Sequence, residues 1–150
     1  MRILTKIECG LVIMADIAVN SENGGTVTLY DMAERRSISV KYLEQIVTRL
    51  RQSSLVKSIK GPHGGYVLAR SPDRITIKEI VDAVDIAFVG SEIAELGESC
   101  GEITIILGEL LWSKIEAYLT DLTSSLTLSD IVNAMRNPPQ RDEQTLMYYI

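Results

Sequence analysis

The stretch SVKYLEQIVTRLRQSSLVKSIKGPHGGYVLAR, residues 39–70, decides the fold. Its first part predicts a helix, because Ser39 is a typical N-cap and apolar side chains recur at three- and four-residue steps through Leu50. Two short strand-like runs, 55–59 and 66–69, flank the connector GPHGG, whose glycines permit a tight hairpin. The sequence therefore predicts a helix followed by a two-stranded wing.

Helical patterns surround this unit. Apolar spacing predicts a first helix over 3–19, a short helix ending near Arg36, and a long helix over 102–123. Three pairs at capping-box spacing predict helix starts: Thr28 with Asp31, Thr76 with Glu79, and Thr127 with Asp130. The fold class is mostly α with a small β wing, namely a winged helix-turn-helix domain with a long dimerisation helix.

Four segments follow from these patterns. Residues 1–84 form the winged helix-turn-helix domain, and 85–101 form a loop without helical or strand period, interpreted as a sensor loop. Residues 102–136 hold the dimerisation helix and a short C-terminal helix, and 137–150 form a tail. A helix of about 20 residues spans ~30 Å. Because that exceeds what a small core needs, we expect part of its apolar stripe to meet a second copy; the alternative is packing on its own chain.

Charge is distributed unevenly. The net charge is -5, but residues 1–74 carry 11 basic and 7 acidic side chains, whereas 75–150 carry 4 and 13. Seven basic residues lie between Glu34 and Lys60. Any contact with a polyanion is therefore predicted in this part of the chain.

A helix pair followed by a wing places its second helix in the major groove of DNA. The side chains of that helix not needed for the core can form hydrogen bonds; they are Ser39, Lys41, Tyr42, Glu44, Gln45, Arg49 and Arg51. Gln45 suits adenine, and Glu44 suits cytosine. Lys60 and His63 lie in the wing, where Gly64 permits close approach to a phosphate. The alternative is a solvated helix face.

Three stretches carry a family resemblance: MRILTKIECGL at 1–11, residues 39–70, and ITIKEIVDAVD at 75–85. They resemble the winged-helix regulator family that contains the iron-sulfur cluster regulator IscR and the cysteine metabolism repressor CymR. The resemblance implies a homodimer on a partly palindromic DNA operator. It also assigns DNA contacts by position: groove contacts to Ser39, Tyr42, Glu44 and Gln45, a wing contact to Lys60, and phosphate contacts to Arg2, Lys6 and Arg51.

The cysteines depart from the cluster-binding pattern. Cluster-binding members of the family hold the cluster with three loop cysteines and a fourth ligand, whereas this loop carries only Cys100. Ala94 and Ile106 stand roughly where the other cysteines would lie, and Glu109 where IscR has a histidine. One thiolate cannot bind such a cluster alone, because the site needs four protein ligands.

Two interpretations of Cys100 stay open. Some relatives recruit an acidic residue from the start of the partner's first helix, and Glu8 stands at that position beside Cys9, so Cys100, Glu8 and Cys9 form a candidate iron-sulfur site. Alternatively, Cys100 is a redox-sensing thiol or an inert one. Cys9 also fits a core position, and the single histidine, His63, gives no metal motif.

The tail offers a second kind of signal. Like CymR, the sequence finishes in a short apolar segment, with Met147, Tyr148, Tyr149 and Ile150 at its end. In the family setting this implies docking into O-acetylserine sulfhydrylase, the cysteine synthase, and hence control of cysteine or sulfur metabolism genes. The alternative is a frayed or self-packed terminus.

Other classes fit less well. No nucleophile and base stand in a catalytic motif, so the sequence predicts that the protein is not an enzyme. A pure interaction module would leave the basic helix unexplained. Neither a membrane span nor a secretory signal is recognisable, which predicts a cytoplasmic protein with reduced cysteines.

Overall fold

Helices make up most of the residues that the computed structural model describes, 5–85 and 101–139. In chain order the elements are α1 (Thr5–Asn20), α2 (Leu29–Arg36), α3 (Val40–Gln52), β1 (Val56–Ile59), β2 (Gly65–Leu68), α4 (Ile77–Val84), α5 (Gly101–Leu107), a π-helical turn (Gly108–Trp112), α6 (Ser113–Ser125) and α7 (Leu128–Arg136). Short 3-10 turns cover Glu22–Gly24 and Pro72–Arg74. The mostly helical winged helix-turn-helix architecture expected from the sequence is confirmed.

The helix starts are fixed by side-chain caps. At Thr28, Thr76 and Thr127 the hydroxyl accepts a hydrogen bond from the backbone N–H three residues on, and the carboxylate there bonds back to the threonine. Ser39 likewise accepts a hydrogen bond from the backbone N–H of Tyr42. Each cap satisfies donors that a helix start leaves without partners. All three predicted capping boxes are therefore confirmed.

The wing is an antiparallel hairpin in which Val56 pairs with Leu68 and Ile59 with Gly65. Val27 extends it, since its N–H and carbonyl exchange hydrogen bonds with Tyr66 at 3.0 and 2.7 Å. Gly61 takes a positive φ of 112°, which favours glycine. The bridge between Val27 and Tyr66 joins the wing to the segment that leads into α2.

Helix α1 lies at the centre of the core. Its Ile13, Met14 and Ile17 are almost fully buried. The other helices contribute buried apolar residues to the same cluster, among them Leu43, Ile46 and Leu50 of α3, Ile80 and Val84 of α4, and Leu128 and Val132 of α7. Helix α7, which the sequence pattern groups with the dimerisation helix, thus packs into the N-terminal domain.

A short backbone bridge holds α7 in place. The N–H of Ile77 donates to the carbonyl of Leu126 at 2.9 Å, and the N–H of Leu128 donates to the carbonyl of Ile75 at 2.8 Å. The C-terminal end of the long helical segment is therefore tied to the N-terminal end of α4, and the two hydrogen bonds lie on either side of Thr76 and Thr127.

The long helix differs in detail from the expectation. The structure is helical from 101 to 125, but a π-helical turn at Gly108–Trp112 interrupts the α-helical geometry. None of the residues described in this segment is buried. Its exposed large apolar side chains are Ile103, Ile105, Ile106, Leu107, Leu110, Leu111, Trp112, Tyr118 and Leu122. Within residues 5–85 and 101–139, no helix combines the length and apolar content needed to cross a membrane.

A buried carboxylate joins α1 to α2. The side chain of Asp16 is fully buried and accepts hydrogen bonds from Arg35 Nη2 at 2.7 Å and Arg36 Nε at 2.8 Å. The bond to Asp16 is the main cause of a raised pKa at Arg35. The sequence pattern counted both arginines in a DNA-facing basic region, but they are committed to this internal ion pair. The link fixes α2 against the core.

We expect Asp16→Asn to lower the free energy of unfolding by about 2 kcal/mol, because the fully buried side chain loses its charge-assisted hydrogen bonds with Arg35 and Arg36. Chemical denaturation of the full chain at fixed protein concentration measures this change. Asp82→Asn is the matched control, since Asp82 pairs with Lys78 at a side chain that is 59% exposed. An exposed i,i+4 pair on a helix, such as this one, contributes only about 0.5 kcal/mol. Equal effects of the two substitutions would contradict the assigned role of Asp16.

Candidate nucleic-acid interface

Helices α2 and α3 form the helix-turn-helix. Ser37 ends α2 in the left-handed conformation, with φ 53°, and Ser39 begins α3 two residues later. Because the turn is this short, the direction of α3 is fixed relative to α2. The ion pairs of the buried Asp16 with the arginines of α2 fix α2 against α1, and the short turn then sets the direction of α3.

Helix α3 has one buried face and one exposed face. Leu43, Ile46, Val47 and Leu50 are buried. The exposed side carries the predicted contacts Ser39, Glu44, Gln45 and Arg51, together with Lys41 and Arg49. Tyr42 lies between the faces, half-buried against the core. Desolvation raises the pKa of its phenol, with a smaller contribution from Cys9. The exposed face therefore presents both hydrogen-bond donors and acceptors.

An open groove of about 570 Å³ runs between α1 and α3. It brings together four of the predicted DNA contacts, Lys6, Tyr42, Glu44 and Gln45. Its other lining residues are Lys41, Ile46, Thr48, Arg49 and Gln52. Of all the lining residues, Lys6, Lys41 and Arg49 are basic and Glu44 is acidic. The groove is therefore electropositive, although the whole chain is acidic. Such a surface attracts phosphate.

The wing adds exposed polar groups. Lys57, Lys60 and His63 are exposed on it. The hydroxyl of Thr26 donates to the carbonyl of His63 at 2.9 Å, which ties the wing tip to the chain before α2. A Cβ at Gly64 would overlap the carbonyl oxygen of Ile59 and lie 2.9 Å from that of Gly61. The need for glycine at this position therefore arises inside the hairpin.

Arg49 has a partner that the sequence did not indicate. Its Nη1 donates to the carbonyl oxygen of Val84 at 2.9 Å, across from α3 to the end of α4. The helical pattern of residues 39–52 predicts that Arg49 is available to DNA. In the structure this guanidinium is engaged within the domain.

Two of the candidate sensor residues, Glu8 and Cys9, are described, and their surroundings differ. Cys9 is buried in the core, whereas the neighbouring Glu8 is exposed. Burial raises the pKa of the Cys9 thiol, and Glu8 raises it further. A thiol held in its protonated form in an apolar core is poorly suited to ligate a metal. Among residues 5–85 and 101–139 there is no group of three potential metal ligands.

Several predicted residues lie outside the described part of the chain. They are Arg2, the loop residues Ala94 and Cys100, and the tail residues Met147, Tyr148, Tyr149 and Ile150. Glu109 is described, and it lies exposed in the π-helical turn.

A helix-turn-helix with a polar, electropositive second helix, followed by a basic wing, defines a winged-helix DNA-binding protein. Comparison with known proteins gives the family. Residues 3–134 match the model of the Rrf2 family, described as an iron-dependent transcriptional regulator. The chain belongs to the Rrf2 family of transcriptional regulators.

Individual relatives agree. The chain is 37% identical over 133 residues to the HTH-type transcriptional regulator IscR of Cronobacter sakazakii, covering 89% of this chain and 81% of that relative. The structure of CymR, the global cysteine regulator of B. subtilis, superposes with a TM-score of 0.70 at 34% identity, covering 89% of this chain and 97% of that one. IscR of T. potens gives 0.72 at 29% identity, covering 97% and 96%. The relatives are named as regulators, in agreement with the prediction that this protein is not an enzyme.

Proposed function

We propose that this protein binds a specific DNA operator as a homodimer, with α3 in the major groove and the wing on the adjacent backbone. The exposed polar face of α3 beside an electropositive groove carries the proposal. Ser39, Tyr42, Glu44 and Gln45 contact base edges or groove phosphates. Lys60, His63 and Gly64 contact DNA from the wing, and Arg2, Lys6 and Arg51 contact phosphates. Base contacts provide specificity, whereas phosphate contacts provide affinity that depends on salt.

The exposure and the side-chain chemistry of Gln45 and Lys60 support this division of roles. Gln45 is an exposed amide in the middle of α3, so it can donate to and accept from adenine at once. Lys60 is exposed at the start of the wing turn and carries a point charge without a fixed hydrogen-bond geometry. We infer that Gln45 discriminates between sequences and that Lys60 does not.

We expect Gln45→Ala to weaken binding to a duplex selected from a random library with the wild-type protein by roughly 5- to 150-fold. Binding to unrelated duplexes should change little, because only a base contact is lost. Lys60→Gln is the comparison. It should weaken binding to all duplexes alike and reduce the slope of log affinity against log salt by about 1. Loss of affinity for every duplex in Gln45→Ala would contradict the assignment.

The long helical segment supports the homodimer. It exposes nine large apolar side chains along 101–125, a surface that soluble monomers seldom leave open. A second copy of the same segment offers the same apolar surface and so can cover it symmetrically. A two-fold dimer would also present two α3 helices to a palindromic operator.

We expect Leu110→Glu to convert a dimer into a monomer, because Leu110 is 64% exposed in the single chain and a carboxylate there would be buried in the interface. Sedimentation velocity measures the change. Ser124→Glu, which adds the same charge to an exposed polar position of α6, should remain dimeric. A monomeric wild-type protein at micromolar concentration would contradict the proposed dimer.

For the signal, we propose control of cysteine or sulfur metabolism genes, as a repressor whose tail binds O-acetylserine sulfhydrylase. The likeness to the global cysteine regulator of B. subtilis and the apolar segment 146–150 support this proposal. The apolar and aromatic side chains of segment 146–150 suit insertion into an apolar pocket of a partner protein.

The second candidate is an iron-sulfur or thiol redox regulator. The family description and the 37% identity to IscR favour it. The described residues do not fit a complete cluster site, because Cys9 is buried and Glu8 is the exposed neighbour. A candidate site would then depend on Cys100, on Glu8 of a second copy and on further ligands.

One preparation tests both signals. The anaerobically purified full chain should be colourless and contain no stoichiometric iron, and calorimetry should show that it binds cysteine synthase. A chain ending at Thr145 should lose this binding while keeping its DNA affinity, because the tail lies outside the DNA-binding domain. Broad visible absorbance that disappears in Cys100→Ser, together with no synthase binding, would instead establish the second candidate.

A further inference from the structure

Arg49 forms a hydrogen bond between the recognition helix α3 and the end of α4. It lies on the exposed side of α3, one helical turn after Gln45, and both side chains line the groove between α1 and α3. Its guanidinium nevertheless donates to the carbonyl of Val84, 35 positions further along the chain. Val84 is the last residue of α4, and the predicted sensor loop, 85–101, follows it directly.

The acceptor is a carbonyl that needs an outside donor. The last four carbonyls of a helix have no partner within the helix, and the final bond of α4 runs from the N–H of Asp85 to the carbonyl of Val81. A cation at this end also meets the negative end of the helix dipole. The guanidinium of Arg49 therefore holds the last turn of α4 closed.

Val84 also packs closely against α1. The side chain of Val84 is fully buried, and a Cβ placed on Gly10 of α1 would lie only 2.8 Å from Val84 Cγ1. Helices α1 and α4 therefore meet with no space between them at this point. Since Val84 cannot shift toward α1, a displacement of the end of α4 has to move the carbonyl that Arg49 holds.

We propose that Arg49 is a positioning residue that couples the recognition helix α3 to the end of α4. The proposal rests on the proposed function, because it assumes that α3 binds DNA. A bound operator fixes α3, and through Arg49 it stabilises the last turn of α4. By reciprocity, a change after Val84 that opens this turn weakens operator binding.

The test is amide hydrogen exchange of the full-length protein, free and bound to a duplex selected from a random library. In the wild type, DNA should slow exchange in peptides from α3 and also at Val84 and Asp85, by roughly the 5-fold or more that is typical of coupled sites. In Arg49→Gln, DNA should still slow exchange in α3 but no longer at Val84 and Asp85. Arg49→Lys keeps one charged donor and should restore part of the effect.

Arg51→Gln is the matched control. It removes the same charge from the same helix, but within the described part of the chain Arg51 forms no hydrogen bond or ion pair with α4. Its DNA affinity should therefore fall while the slowing at Val84 and Asp85 persists in the saturated complex. Three results at Val84 and Asp85 would overturn the coupling but not the proposed function. They are slowing that survives in Arg49→Gln, slowing that disappears in Arg51→Gln, and no slowing in the wild-type complex. Failure of the wild type to select any duplex would overturn the proposed function and the coupling together.

Discussion

The burial of α1 is the constraint on which the rest of the structure depends. Ile13, Met14 and Ile17 lie so deep that helices have to cover α1 on several sides. Helices α3, α4 and α7 do so, and the apolar area that they remove from water is the main favourable contribution to folding. Because α3 is one of these helices, the surface offered to DNA is held by the same packing that holds the core.

Among residues 5–85 and 101–139, Asp16 is the one charged side chain buried in this core, and it serves the same arrangement. Asp16 would be costly to bury alone, and the two arginines of α2 compensate it with three hydrogen bonds. The helix before the turn is thereby fixed to α1, and the helix after the turn is fixed by its apolar face. Two different kinds of interaction thus determine the direction of α3.

Local chemistry explains what the sequence could predict. Thr28, Thr76 and Thr127 act on neighbours three residues away, so their capping boxes were visible in the sequence. Arg35 and Arg36 lie 19 and 20 positions from Asp16, and Val84 lies 35 positions from Arg49. No spacing rule reveals such pairs. The same limit applies to the π-helical turn, which a helical period does not register. For the site, exposure of α3 followed from its pattern, but the internal use of Arg35, Arg36 and Arg49 depended on the folded chain.

If the apolar surface along 101–125 pairs two copies as proposed, the abundance of the protein becomes part of its regulation. If two copies must meet before either can occupy an operator, the amount of the active species falls with the square of the total as the protein is diluted. A gene that responds to this regulator would then respond more steeply than to a monomer. The same surface would expose newly made single chains to unwanted association, so rapid pairing also protects them.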